Sequence, residues 1–472
     1  MNLATFQFLT FLAAAYLVWR YLVRDQGRRK NFLLVASYFF YGTWDVRLAG
    51  VLAGVTIVQW LLGARIHSAA NASTRRAWLW ISVAAGLGCL GYFKYAGFFL
   101  GGLADLLADF GLQSISPIAA IAAPIGISFY TFQSLTYTID IYRGKETPTR
   151  SLRDFALFIA FFPHVTAGPI ARARLLIPQF EDERHRAASL DAQAIYLIVR
   201  GLTKKIAIAD VLAAHFVTPA FTQPGAWSSW FLLVAVIAYS FQIYMDLSGY
   251  TDLARGAARC FGYDLQINFD RPYLARTVSS FWQRWHISMS SFFREYLYWT
   301  IGGSRRGNVY ANLLITFVAI GLWHGAGWNF VVYGLLHGSV VCLERVRRLS
   351  RRRRGLPDHG ETISATLLGV AYTFAFVAFA RVLFVATDLG DALDFFELLW
   401  TSTGQAAAAG PQGYITLVVA VTLHFLPQRR QQAAAQRFFA LGAVPRGVLL
   451  AGFVYALMAV ATETRPFVYF QF

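Results

Sequence analysis

Charged side chains are scarce in this chain. They make up 14% of its 472 residues, and hydrophobic residues make up 57%, whereas soluble domains average about 25% charged and about 45–50% apolar residues. This composition excludes a water-soluble globular protein and predicts an all-α, polytopic integral membrane protein. Because a bundle of membrane spans behaves as one unit, we predict a single domain over residues 1–472.

Acidic residues are rarer than basic ones. The 25 Asp and Glu residues are outnumbered by 42 Lys and Arg residues, which gives a formal net charge of +17. In a soluble protein this excess would favour nucleic-acid binding. Here the basic residues cluster in short segments between apolar runs, as topology signals facing an anionic leaflet do. The expected partner is therefore the lipid bilayer, and nucleic acid is not expected.

Cysteine is also rare. Cys89, Cys260 and Cys342 are far apart and lack the spacing of metal ligands, so we expect no metal site and interpret the three as small core residues. No internal repeat is visible. Repeat symmetry is typical of transporters, so its absence disfavours that class of protein.

Apolar runs and arginine clusters predict the topology. Residues 4–23 lack a basic start and a cleavage site, which indicates an uncleaved first span. By the positive-inside rule, residues 28–30, 345–354 and 429–430 are cytoplasmic. Both termini are then periplasmic, in a multi-pass protein of the bacterial inner membrane.

About 11–13 transmembrane or re-entrant helices are expected. Residues 161–170 contain two prolines, which remove helical hydrogen bonds that lipid cannot replace. We therefore expect this segment to be re-entrant or buried in protein. The longest outer loop is expected near residues 387–412 and carries no catalytic motif.

A basic segment over residues 344–360 is predicted to be a cytoplasmic loop. Seven arginines lie between residues 345 and 354. The favoured interpretation is an anchor on anionic lipid, and the alternative is a docking site for an acidic carrier or a phosphorylated donor.

Two histidines lie in strongly apolar surroundings. His324 is in the middle of GLWHGAGWN (residues 321–329), between glycines that allow close approach of backbone or ligand. An ionisable side chain at membrane depth is costly, so a functional site is the default hypothesis. His286 follows Trp282 and Trp285 upstream. Two such histidines indicate acid/base chemistry in a lipid-bounded cavity.

Residues 281–299 are predicted to form an amphipathic helix. At about 100° per residue, six apolar side chains share one arc, and Arg284, Ser288, Ser291 and Glu295 lie opposite. His286 lies at the edge of the apolar arc and is expected to point inward. A structural core histidine is the alternative. The six apolar residues are Trp282, Trp285, Met289, Phe292, Phe293 and Tyr296.

Two further polar residues lie in apolar runs. Asp246 has two interpretations: it orients a histidine, as the third member of a triad does, or it pairs with Arg255 or Arg259 to hold helices together. The structural role is favoured. His337, thirteen residues after His324, is expected to form a hydrogen bond that packs helices.

Five motifs, in order, resemble the membrane-bound O-acyltransferase (MBOAT) family, and most closely its bacterial branch that O-acetylates alginate. The resemblance runs from about residue 30 to the C-terminus. It implies a ring of tilted helices with a central funnel, lined in part by residues 281–300. The motifs are PIGISFYTF (residues 124–132), FFPHVTAGPI (161–170), QIYMDLSGY (242–250), FWQRWHIS (281–288) and GLWHGAGWN (321–329).

The resemblance implies that His324 is the essential histidine and His286 the second. It implies an O-acyltransferase that moves an acyl group, expected to be acetyl, from a cytoplasmic thioester to an extracellular polysaccharide. The donor substrate would be acetyl-CoA or another acyl thioester, with no permanently bound cofactor. An imidazole suits a general base at neutral pH. Trp323 and Asn329 are further candidates for binding substrate or supporting the site, as are Trp282 and Trp285.

The resemblance implies two kinds of partner, a periplasmic SGNH-type acetyltransferase and the polysaccharide machinery. A separate transferase also fits a site buried among spans, which is poorly shaped to hold a long polymer. Two alternatives remain open. One is a D-alanyl transferase of cell-wall polymers, and the other is a non-enzymatic polysaccharide transporter or synthase scaffold.

Overall fold

The structure is a computed structural model that describes residues 1–110, 124–166, 168–182, 191–357, 362–405 and 409–460. These ranges are helical, with turns and two isolated bridges, Trp227 with Gln405 and Ser228 with Thr403. The predicted all-α class is confirmed. The C-terminal aromatic residues lie outside the described ranges.

The chain divides into two compact units, each with its own packing. The first comprises residues 1–191 and 254–266, and the second comprises residues 192–253 and 267–472. The prediction of one domain over residues 1–472 stays a prediction, as does the ring with its central funnel.

The first unit contains eight α-helices within its described residues. Side chains cap several of them: Asp25, for example, accepts a hydrogen bond from the backbone N–H of Arg28 and so satisfies one donor at a helix start. The helices are α1 Phe6–Leu17, α2 Gln26–Gly42, α3 Val46–Ser68, α4 Ala72–Leu90, α5 Ala96–Asp109, α6 Ile127–Tyr142, α7 Leu152–Ala160 and α8 Ala173–Glu181, with π-helical turns Val18–Leu22 and Gly91–Tyr95.

The second unit contains the longer helices and the candidate site. Helix α11 belongs to it up to Leu253 and to the first unit from Ala254. The helices are α9 Ala192–Leu202, α10 Thr218–Thr222, α11 Ser229–Cys260, α12 Val278–Arg284, α13 Ile287–Phe292, α14 Val309–His324, α15 Trp328–Arg353, α16 Ile363–Ala380, α17 Val382–Val385, α18 Leu389–Thr401, α19 Pro411–Phe425, α20 Gln428–Ala440 and α21 Ala443–Val460, with π-helical turns Thr203–Asp210, Ala213–Val217 and Phe293–Tyr298.

Five helical stretches are long and apolar enough to cross a membrane, counted over the described residues. Phe6–Leu22 and Val309–His324 are apolar but shorter. The polytopic class is thereby confirmed, and the number of 11–13 helices stays a prediction. The five are Val46–Ser68, Ala72–Ala104, Ser229–Cys260, Ile363–Val385 and Ala443–Val460.

The proline-rich segment after α7 is buried in protein, as predicted. It runs as a succession of turns, and the side chains of Phe161, Phe162 and His164 are buried. Gln133 of α6 lies 2.9 Å from Nε2 of His164. Residue 167 lies outside the described ranges.

Two loop predictions are wrong. The basic segment is mostly the end of α15, which continues to Arg353, and the predicted outer loop over residues 387–412 contains α18. Arginine is a good helix former, and basic side chains at the C-terminus of a helix complement its dipole. Asp388 caps the start of α18 by accepting from the N–H of Asp391.

The predicted continuous helix over residues 281–299 is also wrong, because the backbone breaks at residues 285–286. His286 adopts φ 44°, in the left-handed region, which separates α12 from α13. All six predicted apolar side chains are buried, and His286 points inward as expected. Ser288, predicted on the polar face, is buried as well, because the break turns it toward Asn268.

The cysteines fit their prediction only in part. Cys260 is buried, whereas Cys89 and Cys342 are half-buried, and none of the three forms a disulfide.

Candidate active site

His324 is the last residue of α14 and is buried in the second unit. Its ring lies 5.0 Å from that of Phe384, 4.8 Å from that of Trp323 and 6.3 Å from that of Tyr333, measured between centroids. The imidazole is therefore enclosed by aromatic rings at the point where α14 turns into α15.

Glycines bring α14 and α15 together at this turn. A Cβ atom on Gly321 would lie 2.1 Å from the backbone oxygen of Phe330, and one on Gly334 would lie 2.4 Å from that of Phe317. Real side chains do not approach so closely, so only glycine permits this hairpin. The glycines in the motif therefore position His324.

His286 is held in its left-handed conformation by a segment that precedes α12. The backbone N–H of Ile287 donates to the backbone oxygen of Asn268 (2.9 Å), and that of Ser288 donates to Oδ1 of Asn268 (3.0 Å). A positive φ is uncommon outside glycine and is often found at functional sites, where the surroundings enforce it. Asn268 was not predicted from the sequence, because no spacing links it to His286.

The ring of Trp323 lies close to both histidines. Its ring centroid is 5.6 Å from that of His286 and 4.8 Å from that of His324. The structure thus brings the two histidines predicted as catalytic together around one indole. Both belong to the second unit.

Trp282 and His337 form a hydrogen bond between α12 and α15. Nε1 of Trp282 donates to Nδ1 of His337 at 3.2 Å, so a neutral His337 carries its proton on Nε2. Tyr333 contacts both His337 (4.5 Å) and His324 (6.3 Å). The prediction that His337 packs helices through a hydrogen bond is confirmed.

Asn329 connects the start of α15 to the end of α17. Its Nδ2 donates to the backbone oxygens of Leu383 and Ala386, at 3.1 Å each. These bonds fix the segment carrying Phe384, whose ring contacts His324. Asn329 therefore supports the wall of the site.

Trp285 packs against a buried arginine that the sequence analysis missed. The guanidinium of Arg381 lies 4.3 Å from the Trp285 ring, and its Nη1 donates to the backbone oxygen of Ser240 (3.2 Å) and to the hydroxyl of Tyr273. No carboxylate of the described residues forms an ion pair with it. The signal in the sequence is a lone arginine inside the apolar run 364–386. An ionisable side chain in such a run indicates a candidate functional residue, as it does for a buried histidine.

His424 was missed as well. It is buried on α19, and its ring centroid lies 5.0 Å from those of Tyr244 and Tyr273. Tyr273 thus contacts both His424 and Arg381. Its only signal in the sequence is a histidine near the end of an apolar run.

Asp246 forms an ion pair with a lysine, where the sequence analysis named Arg255 or Arg259 as its partner, and this corrects that part of the prediction. Its carboxylate lies 2.8 Å from Nζ of Lys205, which also forms an ion pair with Asp210 at 2.8 Å. All three side chains are buried. A buried charge needs a partner of opposite sign, so Asp246 joins α11 to the π-helical turn that carries Lys205.

The sequence of the chain matches one protein family and several individual proteins. The pattern of the MBOAT, membrane-bound O-acyltransferase family matches residues 144–386. The probable alginate O-acetylase AlgI of Pseudomonas putida is 34% identical over 98% of this chain and 98% of its own length.

Two other relatives act on different polymers. The peptidoglycan O-acetyltransferase of Helicobacter pylori is 32% identical over 82% of this chain and 77% of its own length. The teichoic acid D-alanyltransferase of Bacillus subtilis is 27% identical over 55% and 68%, respectively.

The helical membrane fold and the family match define the class: this is a membrane-embedded O-acyltransferase. The chain belongs to the MBOAT family. The resemblance drawn from the five motifs is thereby confirmed.

Proposed function

We propose that this protein moves an acetyl group from a cytoplasmic thioester, acetyl-CoA or another acyl thioester, across the inner membrane for O-acetylation of an extracellular polysaccharide. The observation that carries the proposal is the pair of buried histidines whose rings both lie close to the ring of Trp323. Support for acetyl as the group comes from the near-complete length over which the chain matches an alginate O-acetylase.

His324 acts as the general base in this proposal. It takes the proton of the acceptor hydroxyl while the hydroxyl oxygen forms a bond to the thioester carbonyl carbon. The carbon–sulfur bond then breaks, and the proton passes to the leaving sulfur. General base catalysis of this kind contributes about 10²- to 10⁴-fold to the rate. His286 positions the thioester.

The remaining site residues support these two histidines. Trp323 packs against both of them, Asn329 fixes the wall behind His324, and the bond from Trp282 to His337 holds α12 against α15. Arg381 packs on Trp285 and so holds in place the residue that precedes His286. Asp246 acts on the helix framework through Lys205.

The final acceptor is modified by a partner in this proposal. A periplasmic acetyltransferase of the SGNH type receives the acetyl group and transfers it to the polymer, together with the polysaccharide machinery. The buried position of His324 supports this division of labour, since a long glycan does not fit among packed aromatic rings.

Reconstitution in liposomes tests the relay. With acetyl-CoA on the face that carries residues 345–354, we expect acetylation of added polysaccharide only when the partner acetyltransferase is on the opposite face. Acetyl-CoA supplied to the partner's face is the control and should give no transfer. Equally fast acetylation without the partner would show that this chain is itself the terminal transferase.

D-alanyl transfer is the second candidate function, supported by the teichoic acid D-alanyltransferase among the relatives. The lower identity and shorter match of that relative favour acetyl. The same liposomes charged with a D-alanyl thioester should show no transfer. Faster transfer of D-alanine than of acetyl would reverse the assignment.

A further inference from the structure

A groove of about 610 Å³ lies in the second unit, between the end of α15 and the start of α16, beside the first residues of α12. Four arginines line it. Three of them come from α15, Arg347, Arg348 and Arg351, and Arg276 precedes α12. The groove therefore carries a concentrated positive charge.

Glu344, the acidic residue among the described residues that line the groove, already accepts hydrogen bonds from the start of α12. Glu344 accepts hydrogen bonds from the backbone N–H groups of Val278 (2.7 Å) and Ser279 (2.9 Å), and from the hydroxyl of Ser279 (2.7 Å). Its carboxylate thus caps α12, where the helix dipole favours a negative charge. Among the described residues that line the groove, one carboxylate faces four guanidinium groups, so this lining carries a net positive charge.

The groove also has an apolar, exposed part, formed by Leu368 and Tyr372 of α16 together with Leu343 of α15. Leu343, Leu368 and Tyr372 line it and are 67%, 70% and 51% exposed. Leu368 and Tyr372 lie four residues apart on α16, so they occupy one face of that helix. A soluble anion would leave this apolar part uncovered.

The position of the groove along α16 matters as well. Ile363–Val385 is one of the candidate membrane spans, and Leu368 and Tyr372 lie in its first three turns. At the end of a membrane span, an acyl chain can lie along the apolar residues of the helix, in the hydrocarbon layer. The phosphate of the same lipid then lies at the level of the headgroups, where the arginines are. Basic pockets between membrane helices recognise anionic headgroups in this way.

We propose that this groove is a specific binding site for an anionic glycerophospholipid. The phosphate lies among Arg276, Arg347, Arg348 and Arg351, and one acyl chain follows Leu368 and Tyr372. The site is separate from His324 and does not depend on the proposed acetyl transfer.

The test uses the full-length protein in a neutral detergent, with native mass spectrometry to count bound phosphatidylglycerol or phosphatidylcholine. Wild type should retain phosphatidylglycerol in preference to phosphatidylcholine. The variant Arg347→Gln/Arg351→Gln should bind phosphatidylglycerol about 30-fold more weakly, since each arginine near an anionic lipid contributes about fivefold.

The matched control removes two charges from the same basic segment outside the groove, as Arg353→Gln/Arg354→Gln. It should bind phosphatidylglycerol like wild type. Equal weakening by both pairs would mean diffuse attraction to a basic surface and would overturn the proposal. Unchanged melting temperatures in detergent establish that both variants are folded.

Two further experiments distinguish a lipid phosphate from a soluble phosphate as the ligand of the groove. Leu368→Gln removes some of the apolar part of the groove and should weaken phosphatidylglycerol binding while leaving the arginines in place. Glycerol phosphate and acetyl-CoA should not displace the lipid. Displacement by either one at concentrations comparable to the lipid would make the groove a site for a soluble phosphate and contradict the lipid assignment.

Discussion

His286 combines an imidazole with a backbone conformation that strains most residues. Its φ of 44° is stabilised by Asn268, which accepts hydrogen bonds from the two residues that follow His286 in the chain. Asparagine and histidine tolerate this left-handed region better than β-branched residues do. The backbone and the ring of His286 can therefore be tested separately.

Two substitutions of His286 should separate strain from chemistry. His286→Asn removes the imidazole but tolerates the left-handed conformation, whereas His286→Val is β-branched and does not. We expect both variants to lose most acyl transfer, and only His286→Val to lose an additional ~1–2 kcal/mol of folding free energy. Activity assays and thermal melting in detergent measure the two effects. Equal melting temperatures for both would contradict the strain argument.

The candidate catalytic residues were easier to predict from the sequence than the residues that hold them in position. His324 and His286 were apparent because an imidazole in an apolar run is costly, and the structure places both against Trp323. Asn268 and Arg381 were not found, because their roles depend on partners far away in the chain. A sequence pattern reveals a polar side chain that is costly to bury, but it does not reveal which distant residue offsets that cost by bonding to it.

The hairpin of α14 and α15 is the element that places His324. Its two helices meet through glycines, because Phe330 and Phe317 present backbone oxygens where a Cβ atom would clash. Apolar periodicity predicts both helices, and the glycine spacing favours close packing. Periodicity did not predict the break at His286, because that break depends on hydrogen bonds to Asn268. It did not predict the helix in the arginine-rich segment either, because there the helix propensity of arginine outweighs the repulsion between like charges.

Gly321→Ala tests the hairpin directly. The added methyl group would lie 2.1 Å from the backbone oxygen of Phe330, so α14 and α15 must separate. We expect a loss of about 1–3 kcal/mol of stability and reduced acyl transfer with His324 intact. Gly54→Ala, where no atom lies within 4 Å of the new methyl group, is the control and should not reduce either. Wild-type activity in Gly321→Ala would refute the positioning role.

At the scale of the whole molecule, composition was sufficient to predict the class, and the five candidate spans agree with it. The pairing of buried charges was not predictable. Asp246 lies in an apolar span, but its partner, Lys205, is 41 residues earlier in the chain. The orientation in the membrane rests on the arginine clusters and is a proposal that labelling can test.

Cysteine labelling in intact cells tests the orientation. In a chain freed of Cys89, Cys260 and Cys342, Arg352→Cys should be shielded from an impermeant thiol reagent, because the arginine segment is cytoplasmic in the proposal. Arg47→Cys, at an exposed position on the other side in this topology, should react. The reverse pattern would invert the orientation and with it the side of the donor.

The most direct test of the central claim is the rate of acetyl transfer by His324→Ala in proteoliposomes that contain the partner acetyltransferase. We predict a fall of about 10²-fold or more, the loss expected for a general base, with normal insertion and melting temperature. His67→Ala, which removes an exposed histidine at the end of α3, should transfer acetyl like wild type. Near-normal transfer by folded His324→Ala would contradict the account, because the reaction would then not depend on the buried imidazole.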